Sequence, residues 1–329
     1  MPATSNWSRK KSRTGSSSRK NAKRLRISII GAGRLGTALG RALRRAGHRL
    51  DVVITARNAT ARRAAKAIDS GSLAVTWRQL RDPHSVPLRR LSASDLIIIA
   101  TPDATIASVV SELTAVLGKK TARSTRKSQT LLHTSGAISS QILKPLSLAG
   151  IATGSLHPLV SVADVKSHPE IFRDIYFCVE GDARAIRLAR MIVAQLGGRS
   201  FTVKSESKPL YHAAAVMTSG HVVALFDLAL LMLRKCGLSS RQAKRVLLPL
   251  LKSTTTNLER NSAERALTGP YARSDFETAR KHLIALDNPG LEDANQVYKI
   301  LARHSVHLGK TLKHNREIER LARLLDSIS

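Results

Sequence analysis

The chain has 329 residues, enough for two domains of ordinary size, and its 54 lysines and arginines against 23 acids give a formal net charge of +31. Its two cysteines, Cys178 and Cys236, lie far apart without a C-x-x-C motif, which argues against a disulfide framework or a zinc site and favours a reducing, cytoplasmic compartment. Aromatic residues make up 3% of the chain, too few to suggest stacking platforms for single-stranded nucleic acid, and no continuous apolar run reaches the roughly 18 residues of a membrane span.

The chain begins with a basic stretch rich in serine, lysine and arginine. Residues 1–26 contain no acid and almost no apolar side chain, so residues 1–25 are predicted to be a disordered tail. The stretch lacks the apolar core of a secretory signal. An inert tail is the simplest interpretation, and weak contact with nucleic acid through its positive charge is the alternative.

The first folded unit is predicted to be a strand, a glycine turn and a helix. The apolar residues 27–30 precede Gly31, Gly33 and Gly36 in G-x-G-x-x-G register, and a helix follows from Thr37. Such glycines allow a tight turn, the approach of a pyrophosphate and close packing of the helix, whose N-terminus attracts phosphate. The alternative is a glycine-rich turn that binds nothing. The cofactor-binding residues predicted in this turn are Gly31, Gly33, Arg34, Leu35 and Gly36.

The end of the second strand indicates which dinucleotide would bind. Residues 50–55 form this strand, and Arg57 follows where an NAD-binding protein places an acid for the ribose hydroxyl. Asp51 comes too early to take that place. Arginine suits the 2′-phosphate of NADP, so the sequence favours NADP over NAD. The alternative is that Arg57 is one arginine among very many.

Further apolar strands predict the rest of a parallel sheet. Residues 95–100 form a continuous apolar run, as a central strand requires, and lead to Thr101 and Pro102. A strand at 130–134 leads to Ser135. Because ligands bind at the carboxyl ends of parallel strands, Thr101, Pro102 and Ser135 are predicted to contact the cofactor.

The strands and helices together predict an α/β fold. It is a Rossmann domain with a doubly wound, mostly parallel sheet over residues 26–204, followed by an all-helical domain over 205–329. Residues 77–92 and 118–129 are predicted to be surface connections. The predicted helices of the second domain cover residues 210–234, 240–255, 274–286 and 291 to the end.

The first helix after the sheet carries the predicted chemistry. Lys208 and His212 are four residues apart and share one helix face, with Tyr211 beside it. These side chains suit binding of an acidic group or acid–base work on a carbonyl or imine. The alternative is a solvated lysine at a helix start, with Tyr211 and His212 packed at a domain boundary.

Two more residues are candidates, and no metal site is predicted. Arg273 follows a Gly-Pro break and suits the binding of a carboxylate or phosphate, or is an exposed arginine in a structural turn. His157 follows a loop near the strand ends, just before Pro158, and either lies over the site or is a structural histidine. No cluster of His, Cys, Asp or Glu has metal-ligand spacing.

Taken as a set, the motifs resemble the Rossmann-like, DUF2520-domain proteins over about residues 26–290. The motifs that carry the resemblance are GAGRLG at 31–36, ATPD at 100–103, HTSG at 133–136, SLHP at 155–158, VEGD at 179–182, KPLYHAAA at 208–215 and LTGPYARSD at 267–275.

The resemblance implies an architecture similar to pyrroline-5-carboxylate reductase and the 6-phosphogluconate dehydrogenase-like superfamily. In that superfamily, hydroxyacid dehydrogenases place a catalytic lysine four residues before an asparagine; here Lys208 precedes His212. The resemblance also implies a homodimer through the helical domain, with Arg273 reaching the partner's site.

The function predicted from residues and resemblance together is hydride transfer between NADPH and a small carbonyl or imine substrate that bears an anionic group. Lys208, His212, Tyr211 and Arg273 are the predicted catalytic residues. The alternative is a non-catalytic NADP sensor or a partner-binding protein.

Overall fold

The computed structural model describes residues 24–69, 71–117, 129–164, 168–312 and 316–326. The chain divides into two compact units at Ala215/Val216, seven residues after Lys208. The predicted tail lies outside the described residues up to residue 23, and so does the predicted connection at 118–128. Leu25 corrects the tail's end: it is 2% exposed and its N–H donates to His48 Nδ1 at 3.3 Å, because this apolar side chain packs into the core before the first strand begins.

The first unit is built on an eight-stranded sheet within the described residues. Its order is β3-β2-β1-β4-β5-β6-β7-β8, and all neighbours are parallel except β6 and β7. This order contains the Rossmann arrangement 3-2-1-4-5-6, so the predicted doubly wound, mostly parallel sheet is confirmed. The strands are β1 Arg26–Ile30, β2 Arg49–Ile54, β3 Leu73–Val75, β4 Leu96–Ile99, β5 Thr130–His133, β6 Ala152–Pro158, β7 Tyr176–Gly181 and β8 Arg199–Phe201.

The central strand β4 shows why the strand sequences are continuously apolar. Leu96 and Ile98 join one core cluster, and Ile97 and Ile99 join the cluster on the opposite face of the sheet. Successive side chains of a strand alternate between faces, so a sheet covered by helices on both faces needs apolar residues at every position. Burial of each such side chain contributes about 1.5–3 kcal/mol relative to exposure.

Helices cover both faces of the sheet. The first and second helices and the one after β7 pack on the first cluster, and those around β4 and β5 pack on the second. The helices are α1 Arg34–Arg45, α2 Asn58–Ile68, α3 Trp77–Leu80, α4 Val86–Ser92, α5 Asp103–Leu117, α6 Lys144–Leu148, α7 Ala183–Gln195 and α8 Lys208–Met217.

The predicted surface connection at residues 77–92 is wrong, because α3 and α4 form there. Thr76 and Gln79 make a capping box for α3, and Ser85 caps α4 by accepting from Leu88 N–H. Leu80 and Leu91 are fully buried against the sheet. Because the stretch contains prolines and several arginines, its sequence did not indicate these two short amphipathic helices.

The second unit contains only helices among its described residues, as predicted. A small core of Tyr271, Leu283, Val306 and Leu321 holds several of them together. The helices are α9 Gly220–Lys235, α10 Ser240–Arg260, α11 Ala263–Ala266, α12 Pro270–Arg273, α13 Phe276–Leu286, α14 Glu292–Leu312 and α15 Arg316–Asp326.

Two long predicted helices are each divided in the structure. The predicted helix 210–234 is α8 and α9, because Ser219 leaves the helical conformation with φ −126° and ψ −83°. The last predicted helix, from residue 291, is α14 and α15, with residues 313–315 outside the described residues.

The segment Ser205–Lys235 passes the length and composition test for a membrane span, which the search for a continuous apolar run did not indicate. Its most apolar 18-residue window has a mean hydropathy of 1.8 and none of that window is buried. Length and composition alone do not distinguish a membrane span from a helix of a soluble protein, and Lys208 within this segment is fully buried.

Candidate functional site

The glycine turn between β1 and α1 has the shape of a dinucleotide cradle. Gly31 has φ +87°, and a Cβ there would lie 2.5 Å from Thr101 Cγ2. A Cβ on Gly36 would overlap the carbonyl oxygen of Gly31. These two positions therefore exclude any side chain, for the reasons that the sequence motif predicts.

Gly33 differs from the other two glycines because its missing side chain faces open space. No atom lies within 4 Å of the place where its Cβ would be, and the residue is exposed. Gly33 also begins α1 without any side-chain cap, and no acid follows in the first turn. The start of this helix is thus available to an anion, so the residues present fit the pyrophosphate of a dinucleotide.

A cavity of about 470 Å³ opens beside this turn, at the carboxyl ends of β4, β5 and β6. Predicted site residues in its wall are Gly33, Arg34, Leu35, Thr101, Pro102, Ser135 and His212. The other lining residues are Ala100, Asp103, Thr134, Gly136, His157, Pro158, Val160 and Val162. The structure therefore brings most of the predicted cofactor residues together with one of the predicted catalytic residues.

Arg57 stands between β2 and α2, as the residue before the helix, and outside the lining of this cavity. Its side chain is exposed, and no ion pair to it is present in the part of the chain that the structure describes. Asp51, the acid nearest to it in sequence, is buried between Arg26 at 2.7 Å and Arg49 at 2.6 Å. The end of β2 therefore offers an unpaired guanidinium and no accessible carboxylate.

The hydroxyl groups of Ser135 and Thr101 have different surroundings. Ser135 Oγ donates to Asp103 Oδ2 at 2.8 Å and accepts from Ile138 N–H at 2.9 Å. Thr101 Oγ1 is buried and has no hydrogen-bond partner among the described residues. Ser135 thus holds the turn after β5, whereas the Thr101 hydroxyl at the end of β4 is left without a partner among these residues.

Lys208 lies under the site and does not line the cavity. It is fully buried, and its Nζ donates to Ser155 Oγ at 2.6 Å and to the Ser135 carbonyl at 3.1 Å, with Glu180 Oε1 at 3.6 Å. Burial lowers the pKa of Lys208, and the nearby Glu180 carboxylate opposes that shift. The side chain of Lys208 supports the turn after β5 from below.

Glu180 completes this buried polar cluster. Its two carboxylate oxygens accept from Ser140 N–H and Ser140 Oγ, each at 2.7 Å, and Ser205 Oγ donates to Oε2 at 3.1 Å. Sequence reasoning did not select Glu180 as a functional residue. The VEGD motif contains it, but only the pairing of β7 with β6 places it near Lys208.

His157 lies inside β6, opposite Cys178 of β7, and not after a loop as predicted. Its Nδ1 is 2.6 Å from the hydroxyl of Tyr211, and its ring meets the ring of His212 edge-on at 5.3 Å. Burial above all, followed by the proximity of His212 and Lys208, lowers the pKa of His157 to about 4. The imidazole is therefore neutral at pH 7.

Gly136 is the contact point for both histidines. A Cβ at this position would overlap His212 Nδ1 and would lie 2.8 Å from His157 Cε1 and 2.9 Å from His157 Nε2. His212 Nδ1 is itself buried without a hydrogen-bond partner among the residues described. Sequence analysis missed Gly136, although the HTSG motif contains it.

The side chains of Tyr211, Cys178 and His133 also lie near these two histidines. The hydroxyl of Tyr211 lies beside the thiol of Cys178, and burial raises the pKa of both groups. His133 accepts from Ser135 N–H at 3.2 Å through Nδ1, and burial lowers its pKa to about 3. Both His133 and His157 are thus kept uncharged by burial near the end of the sheet.

Arg273 belongs to the second unit, so its predicted role in the site stays a prediction. It is exposed at the end of α12, between Gly269 at φ +82° and Ser274 at φ +59°. Asp275 caps α13 by accepting from Thr278 N–H at 3.0 Å, as the sequence suggested. Among the described residues, no group of three or more His, Cys, Asp or Glu is arranged to hold a metal ion.

Two family profiles and several solved structures match this chain. The Rossmann-like domain matches residues 11–158, and the domain of unknown function DUF2520 matches residues 175–305. No curated protein matches it in sequence.

The solved structures share the fold at low sequence identity. A proposed NADP oxidoreductase from Bacteroides fragilis is 23% identical at a TM-score of 0.66, covering 87% of this chain and 98% of that one. A protein from Thermotoga maritima is 22% identical at a TM-score of 0.65, covering 88% and 100% of the two chains. The reductive aminase from Aspergillus terreus, in complex with NADPH and ethyl levulinate, is 17% identical at a TM-score of 0.56, covering 93% and 100%.

The sheet order, the glycine cradle and the two profile matches agree with one another. This chain is a Rossmann-like, DUF2520-domain protein.

Proposed function

We propose that this protein is an NADP-dependent oxidoreductase that transfers a hydride between NADPH and a small carbonyl or imine substrate with an anionic group. The observation that carries the proposal is the position of Gly33. It is the cradle glycine that is open to a ligand, and it lines the same cavity as His157 and His212. A phosphate-binding turn and groups suited to acid–base or hydrogen-bond chemistry thus share one space.

The residues of the first unit have distinct roles in this proposal. Gly33 and the start of α1 bind the pyrophosphate, and Thr101 and Pro102 contact the cofactor at the end of β4. The nicotinamide supplies the hydride when the cofactor is bound. The reductive aminase of the same fold was crystallised with NADPH, which supports a reduced nicotinamide dinucleotide as the ligand.

Arg57 is the residue that selects NADP over NAD in this proposal. Its unpaired guanidinium suits a 2′-phosphate, and a charge-assisted contact of this kind contributes about 1.5–3 kcal/mol. Arg57→Asp is expected to weaken NADPH binding about 10- to 100-fold and to leave NADH binding unchanged or tighter. Arg63→Asp, an exposed residue of α2, is the charge-matched control. Equal losses for both variants would contradict a specific contact at Arg57.

In this proposal, side chains around the cavity stabilise the carbonyl oxygen or imine nitrogen of the substrate, which gains electron density as the hydride adds to carbon. His157 and His212 face this space, and Tyr211 acts through His157. Lys208 is assigned a positioning role because its ammonium is occupied by Ser135, Ser155 and Glu180. Arg273 remains the proposed partner of the substrate's anionic group.

A substrate screen tests the reaction. Small keto acids, aldehydes and cyclic or acyclic imines, with and without a carboxylate or phosphate, are incubated with NADPH, and loss of its absorbance is followed. Substrate-dependent oxidation that favours the anionic members supports the proposal. Tight NADPH binding without turnover on any member would instead favour a non-catalytic NADP sensor.

A homodimer through the helical unit is the proposed assembly. Some apolar side chains on α9 and α10 are more than half exposed, including Val223 at 71%, Val246 at 57% and Leu250 at 63%. A second copy presents the same apolar patch, so a twofold interface would cover both at once. Light scattering is expected to give twice the chain mass, and Val223→Glu with Leu250→Glu to give one chain mass. Binding to neutral lipid vesicles by the monomer would identify a membrane as the partner.

A further inference from the structure

The two ring nitrogens of His157 have different surroundings. Nδ1 is 2.6 Å from the Tyr211 hydroxyl, whereas no described residue hydrogen-bonds Nε2. The Nε2 edge faces Gly136, since a Cβ there would lie 2.9 Å from Nε2, and Gly136 and His157 both line the cavity. One edge of the imidazole is thus held by protein, and the other faces the space for substrate.

Tyr211 decides which nitrogen carries the hydrogen. Its hydroxyl has one hydrogen and two neighbours, His157 Nδ1 and the thiol of the fully buried Cys178. An imidazole nitrogen is a strong acceptor and sulfur a weak one, so the hydroxyl hydrogen points to Nδ1. The neutral imidazole then carries its hydrogen on Nε2.

The surroundings also keep this imidazole neutral. The titratable groups around it are His212 and Tyr211 on α8, Lys208 beneath it, Cys178 and His133 on the neighbouring strands, and Asp103 in the same cavity wall. The charges that act on the pKa of His157 are His212 and Lys208, which both lower it, while the Asp103 carboxylate accepts from Ser135 Oγ.

We propose that His157 is a catalytic residue that donates a hydrogen bond from Nε2–H to the carbonyl oxygen or imine nitrogen of the substrate, and that Tyr211 is the positioning residue that fixes this tautomer. The proposal rests on the proposed hydride transfer. As the hydride adds to carbon, its electron pair displaces the π electrons onto oxygen or nitrogen. The Nε2–H bond stabilises that developing charge, and water supplies the proton that completes the product.

The tautomer is tested on the protein without cofactor or substrate. Long-range ¹H–¹⁵N correlation of His157, assigned by comparison with His157→Gln, is expected to show a protonated Nε2 and an unprotonated Nδ1. Tyr211→Phe removes the donor and is expected to mix the two tautomers, whereas Tyr176→Phe, at a half-exposed tyrosine of β7, leaves the spectrum unchanged. A wild-type Nδ1–H tautomer overturns the proposal.

Kinetics test the catalytic role with whichever substrate the screen identifies. His157→Leu, which has no hydrogen-bond donor, is expected to lower kcat about 100- to 1,000-fold, the usual effect of losing one donor to a developing anion. Tyr211→Phe is expected to lower kcat about five- to tenfold, the weight of one ordinary hydrogen bond, with KM and NADPH affinity unchanged. His84→Leu, at an exposed histidine, is the matched control.

The outcomes separate this proposal from the function on which it rests. Equal kcat in His157→Leu and wild type overturns the role of His157 and leaves the oxidoreductase function standing. Absence of turnover in the wild type overturns the function and the catalytic role together, while the tautomer spectrum still reports whether Tyr211 positions the ring.

Discussion

The ammonium nitrogen of Lys208 lies 3.6 Å from Glu180 Oε1, and the two side chains are 0% and 5% exposed. This buried ion pair joins β7 to the start of α8. Lys208 Nζ also bonds the carbonyl of Ser135, so the pair is linked to the turn that carries Gly136. The same ion pair therefore stabilises the fold and holds the turn that forms part of the cavity wall.

Removing the lysine alone leaves a buried carboxylate without its counter-charge. Lys208→Met is expected to lower the free energy of unfolding by about 3–5 kcal/mol, as for other broken buried pairs. The double variant Lys208→Met/Glu180→Gln removes both charges and is expected to recover part of that loss. Urea unfolding measures both, with Lys66→Met as an exposed control. Equal stability of the single and double variants would contradict the coupling.

The glycine cradle gives opposite expectations for two of its positions. Gly33→Ala places a methyl group in open space, so the thermal midpoint is expected to stay unchanged while NADPH affinity falls. Gly36→Ala forces a methyl group onto the Gly31 carbonyl oxygen and is expected to destabilise the fold by about 1–3 kcal/mol. Calorimetry and cofactor titration on both variants check this. Unchanged NADPH affinity in Gly33→Ala would remove this turn from the cofactor site.

Gly136 is expected to tolerate no side chain if both histidines keep their places. Gly136→Ala pushes His212 and His157 away from the cavity wall, so turnover is expected to fall about 100-fold, the cost of a misplacement near 1 Å. NADPH affinity changes less, because the cradle is on another strand. Gly71→Ala, at an exposed glycine with an ordinary φ and only the Asp69 side chain nearby, is the control. Full activity of Gly136→Ala would show that the histidine positions are not critical.

His133 makes stability depend on pH. Its pKa is about 3 in the folded chain, mainly through burial, against about 6.5 when unfolded. As the pH falls below about 6.5, His133 binds a proton in the unfolded chain but not in the folded chain. The free energy of unfolding therefore falls by up to about 1.4 kcal/mol per pH unit.

The variant His133→Asn removes this contribution. Its amide oxygen can accept from Ser135 N–H, and the slope of unfolding free energy between pH 6 and 4 is expected to decrease by about one proton relative to wild type. Urea unfolding at several pH values measures the slope, with His84→Gln as the exposed control. An unchanged slope in His133→Asn would mean that this histidine is protonated in both states.

Local patterns determined the fold class. A buried central strand shows as a continuous apolar run, here Leu96–Ile99, and the cofactor turn shows as the glycine spacing at 31, 33 and 36. Both patterns lie within a few neighbouring residues. Sequence alone therefore predicted the Rossmann sheet and its cofactor turn. The same approach failed at residues 77–92, where buried leucines outweighed the prolines. It also failed at Ser219, where one residue outside helical geometry divides a continuous apolar pattern.

Tertiary structure alone decided the environment of each site residue. The sequence placed Lys208 and His212 on one helix face, but packing against Ser135, Ser155 and Glu180 encloses the lysine while the histidine reaches the cavity. Likewise, the antiparallel pairing of β6 with β7 places His157 opposite Cys178, with Tyr211 beside both. Burial and hydrogen bonding depend on residues distant in sequence, and these determine which side chain is held by protein and which faces a ligand.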